Sequence, residues 1–195
     1  MPKGKWAQGI KPRYMQWFVQ DQLAICERPG GYGPDHRLVR RQEEVIWIRE
    51  SDFAYLVSLM PTDENLETYD DCGMPWKHWP FAEDVELEVS LPTIYPELKK
   101  LLVEGKKILM HYEELGDRFA GFLGGYLRWS GMVDKTHEAI TVTESILKRQ
   151  MEPAGREIVH AAAALAGVEI DLTEIEQASP VTRKDSQKES ETQSA

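Results

Sequence analysis

The feature that most constrains the fold is a continuous apolar run, AYLVSLM, at residues 54–60. A strand with one face in water alternates apolar and polar side chains, whereas an unbroken apolar run is typical of a parallel strand covered on both faces. A second strand, KKILMH at 106–111, is apolar from Ile108 to Met110. Helical signals separate such segments, and strands alternating with helices form layered structures with a parallel sheet. The sequence therefore predicts an α/β fold.

The remaining predicted elements complete this alternation. Further strands are predicted in WFVQDQLAIC (17–26) and KHWPF (77–81). Helices are predicted over 36–52, as a short helix or turn over 64–73, from Pro92 to Gly105, from about 119 to 130, and over 134–150 and 155–167. Proline fits the first turn of a helix and glycine often follows its last turn. We expect a central, mostly parallel sheet of about four or five strands, flanked by helices on both faces.

The two ends of the chain differ from the middle in composition. Residues 1–13 are polar and basic with two prolines, which indicates a loose N-terminal arm. Residues 171–195 are predicted to be a polar, disordered tail, because from Ala178 onward almost no apolar side chain is available to bury. One folded domain is therefore predicted over residues 14–170.

Charge and cysteine usage narrow the class of protein. The formal net charge is −10, which disfavours binding to nucleic acid or to an anionic membrane through the whole surface. Cys26 and Cys72 lie far apart without a CxxC partner, which favours free thiols and a cytoplasmic location. The first residues lack the apolar run of a signal peptide, and the longest candidate apolar stretch, 160–168, is too short to span a bilayer.

One segment has the layout of an anion site. In ILMHYEELGDRFAGFLGGYL (108–127) an apolar strand leads through a short loop into a helix that contains glycines. Backbone N–H groups point into such a loop, and the helix dipole favours negative charge there. Arg118 at the end of the loop adds a two-pronged donor for phosphate oxygens. A cysteine at the start of the loop would become a thiolate nucleophile in the same field, but that position is Tyr112.

This segment resembles the signature of cysteine-based protein tyrosine and dual-specificity phosphatases, in which His-Cys follows an apolar strand and an arginine ends the loop. His111 and Arg118 match the histidine and the arginine, and Tyr126 with Leu127 matches the Tyr-Leu pair of the following helix. The order of elements over roughly residues 14–165 is also similar. The resemblance implies a dual-specificity-phosphatase-like fold, a phosphate-binding loop and no cofactor.

The resemblance also implies an acid that protonates the leaving oxygen, in the loop after the His-Pro strand of that family. By order along the chain Asp84 is the nearest match, and Glu83 lies beside it. The alternative is a solvated acidic loop, because Glu86 and Glu88 continue the acidic run. We favour the solvated loop.

The loop departs from the family pattern at the positions that carry the chemistry. Tyr112 replaces the nucleophile with a bulky phenol, whose ordinary pKa is near 10. Phe119 stands where a hydroxyl residue usually follows the arginine, and Leu115 stands where glycine is common, with Gly116 one place late. These differences predict a loop that has lost its catalytic function.

The charge of the loop has also changed. Residues 112–118 hold three acids, Glu113, Glu114 and Asp117, against one base, Arg118, a net charge of −2. A phosphate within ~4 Å of a carboxylate would be repelled by about 1 to 4 kcal/mol per pair of unit charges. Binding of phosphate or a phosphopeptide is therefore disfavoured, and we expect Arg118 to pair with one of these three acids.

A metal site and a cysteine nucleophile elsewhere in the chain are the two other chemistries to consider. His78, His111 and the three loop acids are of types that bind Zn²⁺ or Mn²⁺, but none of them has a ligand spacing such as HxxxH, so no metal site is predicted. We interpret His111 as a buried, hydrogen-bonded side chain at the strand end. Neither Cys26 nor Cys72 is followed by an arginine six positions later, so both are interpreted as buried apolar residues.

The basic residues of the first predicted helix and the glycines of the helix after the loop each predict a packing arrangement. Arg37, Arg40 and Arg41, with His36, share one helix face; they suit an acidic partner or a phosphate, but we favour a solvated face that pairs with Glu43 and Glu44. Glycines recur in the helix after the loop and predict its close approach to the sheet behind the loop. They are Gly121, Gly124 and Gly125.

The function predicted from the sequence is that of a pseudophosphatase, a catalytically inactive phosphatase-like domain that acts as a binding or scaffold module for a protein partner of unknown identity. The alternative is an enzyme, either an active phosphatase of phosphoproteins or small phosphoesters with an atypical mechanism or a sequence in which the cysteine was replaced deliberately or recently. A third possibility is a phosphate-binding trap that uses Arg118, which the acidic loop argues against.

Overall fold

A computed structural model describes residues 9–31 and 37–166. In this part of the chain the elements are β1 (Gln16–Val19), β2 (Leu23–Glu27), α1 (Leu38–Glu50), β3 (Tyr55–Ser58), α2 (Leu66–Asp71), β4 (Trp76–His78), α3 (Leu87–Val103), β5 (Ile108–Tyr112), α4 (Asp117–Trp129), α5 (Thr136–Leu147) and α6 (Pro153–Leu165). Most of the predicted arm, the predicted domain end at 170 and the predicted tail lie outside the described residues. The domain boundaries therefore stay predictions.

The strands of the described residues form one five-stranded sheet in the order β1-β2-β5-β3-β4. Strand β5 lies in the centre and pairs in parallel with β2 on one side and β3 on the other, and β4 extends the sheet in parallel beyond β3. Only β1, at one edge, is antiparallel. The structure thus confirms an α/β fold with a mostly parallel sheet.

The prediction of a single strand over 17–26 was wrong, because the chain turns back on itself there. A tight turn separates β1 from β2, with the Gln22 N–H bonded to the Val19 carbonyl at 3.1 Å. Asp21 has a φ of 59°, and aspartate tolerates this left-handed conformation better than most residues. Polar residues in the middle of an apolar stretch were the signal for this hairpin.

Helix α3 begins at Leu87, five residues before the predicted start at Pro92. Both Pro92 and Pro96 lie inside it. Each proline lacks the N–H that would bond to the carbonyl four residues earlier. Apolar packing maintains the helix nevertheless, since its inner face is buried; the buried residues are Leu91, Ile94, Tyr95, Leu98, Leu101 and Leu102. None of the helices in the described ranges is long and apolar enough to cross a membrane.

Side chains of successive strand residues enter two separate cores, one on each face of the sheet. In β5, Ile108 and Met110 pack on the side of α3 to α6, whereas Leu109 packs on the side of α1 and α2. In β3 the same alternation places Val57 in the first core and Leu56 in the second. Because both faces are covered, the strands have no polar face, which explains the unbroken apolar run in the sequence.

The glycines of α4 face other helices, so the predicted approach to the sheet was wrong. A Cβ on Gly121 would lie 2.5 Å from the Gly155 carbonyl oxygen of α6, and one on Gly125 would lie 2.5 Å from the Tyr95 hydroxyl of α3. A Cβ on Gly124 would meet Thr143 of α5 at 3.0 Å. These glycines let α4 sit among three helices while its whole central part, Phe119–Leu127, is buried.

Candidate functional site

The candidate site is the loop of residues 113–116, between the carboxyl end of β5 and the first turn of α4. Because β5 is the central strand, the ends of β2 and β3 lie on either side of this loop. Ligands of open α/β sheets bind at this edge, outside the carboxyl ends of the strands. The site residues predicted from the sequence as one contiguous loop thus lie where a ligand of this fold would bind.

Tyr112 occupies the start of the loop as a half-buried, packed side chain. Its ring stacks on Phe119, with ring centroids 6.2 Å apart and planes 23° apart. Its hydroxyl donates a hydrogen bond to the Phe81 carbonyl oxygen at 3.0 Å. Burial raises the pKa of the phenol, while the nearby charge of Arg118 acts in the opposite direction. Tyr112 is therefore a protonated hydrogen-bond donor.

Arg118 is turned toward the segment that follows β4. Its Nε donates to the Phe81 carbonyl oxygen at 3.4 Å, its Nη2 donates to the carbonyl oxygen of Ala82, and its guanidinium carbon lies 4.3 Å from the centre of the Phe81 ring. The expected ion pair between Arg118 and an acid of the loop was wrong. Backbone carbonyls take these donors, and two of the three acids have other partners.

Glu113 pairs with Arg28, a residue that the sequence analysis missed. The Nη1 of Arg28 lies 3.1 and 3.2 Å from the two carboxylate oxygens of Glu113, and its Nη2 lies 3.1 Å from Glu64. The Arg28 side chain is only 9% exposed, so this is a partly desolvated ion pair. The position of Arg28 could have indicated this contact. Arg28 follows β2, and its neighbour Glu27 is in register with Tyr112, the residue before Glu113.

Asp117 serves as a cap for a neighbouring helix. Its carboxylate accepts the N–H of Glu152 at 2.6 Å and that of Gly155 at 2.5 Å, at the start of α6. The adjoining carbonyl of Leu115 accepts a hydrogen bond from Arg149 at 2.9 Å. These contacts join the loop to the chain between α5 and α6. Glu114, in contrast, is exposed.

His111 lies beneath the loop and is 1% exposed. Its Nε2 shares a hydrogen bond of 3.0 Å with the hydroxyl of Tyr69. Burial lowers the pKa of His111 to about 3, and the charge of Arg28 acts in the same direction. The imidazole is therefore neutral at physiological pH, and the structure shows His111 as a buried, hydrogen-bonded side chain.

The predicted general-acid position, Asp84, lies in an exposed part of the segment between β4 and α3. Glu83 is exposed as well, and its charge raises the pKa of Tyr112. Glu83 is therefore the acid of this segment that acts electrostatically on the loop. Both observations suit the solvated acidic loop that we favoured.

Both cysteines are buried on the far side of the sheet, in the core beside α1 and α2. Burial raises the pKa of the Cys26 thiol, and the charges of Glu44 and Glu27 raise it further. Burial is also the main reason why the pKa of Cys72 is raised. A thiol must ionise to act as a nucleophile, so neither cysteine replaces the one absent from the loop.

No group of three or more histidine, cysteine or acidic side chains in residues 9–31 and 37–166 is arranged to hold a metal ion. The side chains that suggested a metal have other contacts. The Nε2 of His78 lies 2.8 Å from the Met60 carbonyl oxygen, and Glu113 is bound by Arg28. His78 and Glu113 therefore have hydrogen-bond partners within the protein.

Arg40 and Arg41 of α1 form internal contacts, which corrects the prediction of a solvated face for these two, whereas Arg37 at the N-cap of α1 is exposed. Arg40 binds Glu44 at 2.8 and 2.9 Å, as expected, but Glu44 is 1% exposed and also accepts the Gly30 N–H at 2.7 Å. Arg41 is 6% exposed and donates to the Thr68 hydroxyl at 3.1 Å. Packing of α1 against the loop 28–31 and α2 desolvates these groups. His36 lies outside the described residues.

Several solved phosphatase structures superpose on this chain. Kinase-associated phosphatase, in a form whose catalytic cysteine is replaced by serine, superposes with a TM-score of 0.68 over 82% of this chain and 99% of its own, at 18% identity. The active form of Tk-PTP has a TM-score of 0.57 over 75% of this chain and 95% of its own, at 18% identity. Human DUSP28 has a TM-score of 0.53 over 75% of this chain and 92% of its own, at 13% identity.

No protein-family model matches the sequence, and no curated protein matches it. At these identities the structural similarity establishes architecture, while the chemistry depends on the residues of the site. The three superpositions cover 75 to 82% of this chain and 92 to 99% of the matched chains. The chain therefore has the fold of the dual-specificity and protein tyrosine phosphatases.

Proposed function

We propose that this protein is a pseudophosphatase, a phosphatase-fold domain without hydrolase activity that acts as a binding or scaffold module. The observation that carries the proposal is the state of Tyr112. The residue at the nucleophile position is a protonated phenol, packed on Phe119 and bonded to the Phe81 carbonyl. Hydrolysis by the covalent route of this fold needs an ionised nucleophile at that position.

The position of Arg118 supports the same proposal. In an active loop of this kind, the guanidinium provides two parallel donors for oxygens of the bound phosphoryl group. Here Nε and Nη2 donate to carbonyl oxygens of Phe81 and Ala82. A phosphate would have to displace both carbonyls and approach the exposed Glu114, so the phosphate trap is the weaker candidate.

A binding role would use the outer surface of the domain, and its partner is expected to be a protein. Both cysteines are free thiols in the structure, which suits the cytoplasmic location that we propose. The fold alone does not name the partner, since one fold serves many functions.

Hydrolysis of a generic aryl phosphate by the purified protein tests the proposal. We expect no turnover above that of the Arg118→Ala variant, which serves as the matched control. Tyr112→Cys, alone and with Phe119→Thr, should also stay inactive, because the acids around the loop remain and disfavour a bound phosphate. Turnover by the natural sequence that disappears in Arg118→Ala would contradict the proposal.

Titration with a phosphotyrosine peptide separates a scaffold from a phosphate trap. The scaffold proposal predicts no difference in affinity between the phosphorylated peptide and its unphosphorylated counterpart. Tighter binding of the phosphorylated form, lost in Arg118→Ala, would instead establish the trap. A Lys99→Ala variant, whose amine lies 5.6 Å from the Trp129 ring, controls for loss of one positive charge elsewhere.

A further inference from the structure

The carbonyl oxygen of Phe81 is the meeting point of two donors from the candidate site. The Tyr112 hydroxyl reaches it at 3.0 Å and the Arg118 Nε at 3.4 Å. The Arg118 Nη2 donates to the next carbonyl, that of Ala82. We propose that Tyr112 is a clasp that keeps residues 82–86 closed against the loop, so that the chain itself occupies Arg118.

The clasp requires the Tyr112 hydroxyl to stay in one position, and the packing of the Tyr112 ring restricts it. Tyr112 is the last residue of β5, in the middle of the sheet. Its ring lies nearly parallel to that of Phe119, which is 1% exposed in α4. Strand and helix therefore both restrict the ring. A cysteine at this position is too short to reach the Phe81 carbonyl from the same backbone, so the contact depends on the tyrosine.

The acceptor is anchored equally well. Phe81 is 1% exposed, its N–H bonds to the Leu59 carbonyl at 3.1 Å, and its ring lies 5.1 Å from that of Phe122. At the other end of the segment, the Glu86 carbonyl accepts the N–H of Ser90 at 2.9 Å in the first turn of α3. Both ends of residues 82–86 are therefore fixed.

Between these ends the segment has few polar contacts. Within it, the Val85 N–H reaches the Ala82 carbonyl at 3.5 Å, a long hydrogen bond, and Glu83 and Asp84 are exposed. Val85 packs partly against the core. Segments with few buried contacts and exposed backbone open at low free energy. The bond from Tyr112 to the Phe81 carbonyl, directly before this segment, and the bond from Arg118 to the Ala82 carbonyl within it oppose such opening.

The consequence is a self-occluded arginine. Carbonyl oxygens of Phe81 and Ala82 accept from Nε and Nη2 of the guanidinium, and its central carbon lies 4.3 Å from the centre of the Phe81 ring. Binding of an anion by Nε and Nη2 of Arg118 therefore requires the Phe81 and Ala82 carbonyls to move away. This inference goes beyond the proposed function, because the contacts are the same whether or not the protein hydrolyses phosphate.

Amide hydrogen exchange, followed residue by residue by NMR, tests the clasp in the full chain. Tyr112→Phe removes the hydroxyl and retains the ring that stacks on Phe119. We expect exchange of the Phe81 and Val85 amides to become roughly 2- to 10-fold faster, the effect of losing one hydrogen bond. The matched control is Tyr14→Phe, whose ring is 69% exposed, and it should exchange like the natural sequence.

A second variant, Arg118→Lys, tests the other donor to the Phe81 carbonyl. Arg118→Lys retains the charge but has no planar pair of donors, so it should accelerate exchange of the same amides. Amides of β3 should be unaffected in both variants. Unchanged exchange at Phe81 and Val85 in Tyr112→Phe would overturn the proposal. Equal acceleration in β3 would do the same, since it would show a general loss of stability.

Discussion

The carboxylate of Asp117 accepts the backbone N–H of Gly155 at 2.5 Å, so the first residue of α4, directly after the candidate loop, caps α6. The first N–H groups of a helix have no partner inside the helix and are satisfied by such caps. The same carboxylate also takes the Glu152 N–H. One acid that made the loop unsuitable for phosphate therefore has a structural role.

Removing this cap should weaken the protein measurably. We expect Asp117→Ala to lower the free energy of unfolding by about 1 to 2 kcal/mol, and Asp117→Asn to lower it less, because the amide oxygen can still accept a hydrogen bond. Urea unfolding gives both values. Glu114→Ala, at an exposed acid of the same loop, should stay within about 0.5 kcal/mol of the natural sequence. Equal effects of the Asp117→Ala and Glu114→Ala changes would show that the cap contributes nothing.

The contact between α4 and α6 predicts a strong response to one methyl group. A Cβ on Gly121 would lie 2.5 Å from the carbonyl oxygen and 2.7 Å from the Cα of Gly155, so backbone would have to move. We expect Gly121→Ala to lower the free energy of unfolding by about 1 to 3 kcal/mol. In Gly116→Ala the new methyl meets only the flexible Glu114 side chain at 3.0 Å, so this control should change stability little. Thermal and urea unfolding of both variants provide the comparison.

Burial of His111 predicts how stability depends on pH. Its pKa is lowered to about 3 in the fold, against about 6.5 in an unfolded chain. Between these values the unfolded state binds a proton that the folded state does not, so stability falls as the pH falls from 6.5 toward 3. The contribution approaches about 1.4 kcal/mol per pH unit.

His111→Asn should remove this contribution, so its stability should change less between pH 7 and pH 5 than that of the natural sequence. Urea unfolding at several pH values measures the two slopes. The control is His160→Asn, at an exposed position of α6, and its slope should equal that of the natural sequence. Parallel slopes for His111→Asn and the natural sequence would mean that His111 is protonated in the folded protein as readily as in the unfolded one.

The cysteines should be unreactive in the folded protein. Cys26 has no exposed surface and Cys72 has 9%, and burial raises the pKa of both. We expect a thiol reagent at pH 8 to label them at least about 100-fold more slowly than free cysteine, with Cys72 labelled before Cys26. Unfolding in urea should expose both at once. Rapid labelling of a single thiol in the native protein would reopen the possibility of a cysteine nucleophile outside the loop.

The α/β fold and the loop could be predicted from the sequence because both depend on patterns of neighbouring residues. The apolar runs at 54–60 and 108–110 indicate strands covered on both faces, and the order His111, loop, Arg118 places an anion-type loop after one of them. The absence of a cysteine from the start of the loop is equally local, since it is read directly from Tyr112. Helix starts were less certain, as at Pro92, because packing of the inner face of α3 outweighs the two missing donors.

What the loop side chains contact was decided by the tertiary structure alone. Arg118 and the acids of its loop are neighbours in sequence, yet Arg118 turns to Phe81 and Ala82, and Glu113 turns to Arg28. These partners lie on other strand ends, which only the sheet order brings to the same edge. Charge along the chain could predict an attraction between neighbours, but the desolvated positions of the partners decide which contacts form. The sequence by itself determined the α/β architecture and the tyrosine at the start of the loop, and the folding of distant segments onto the loop decided which contacts its side chains make.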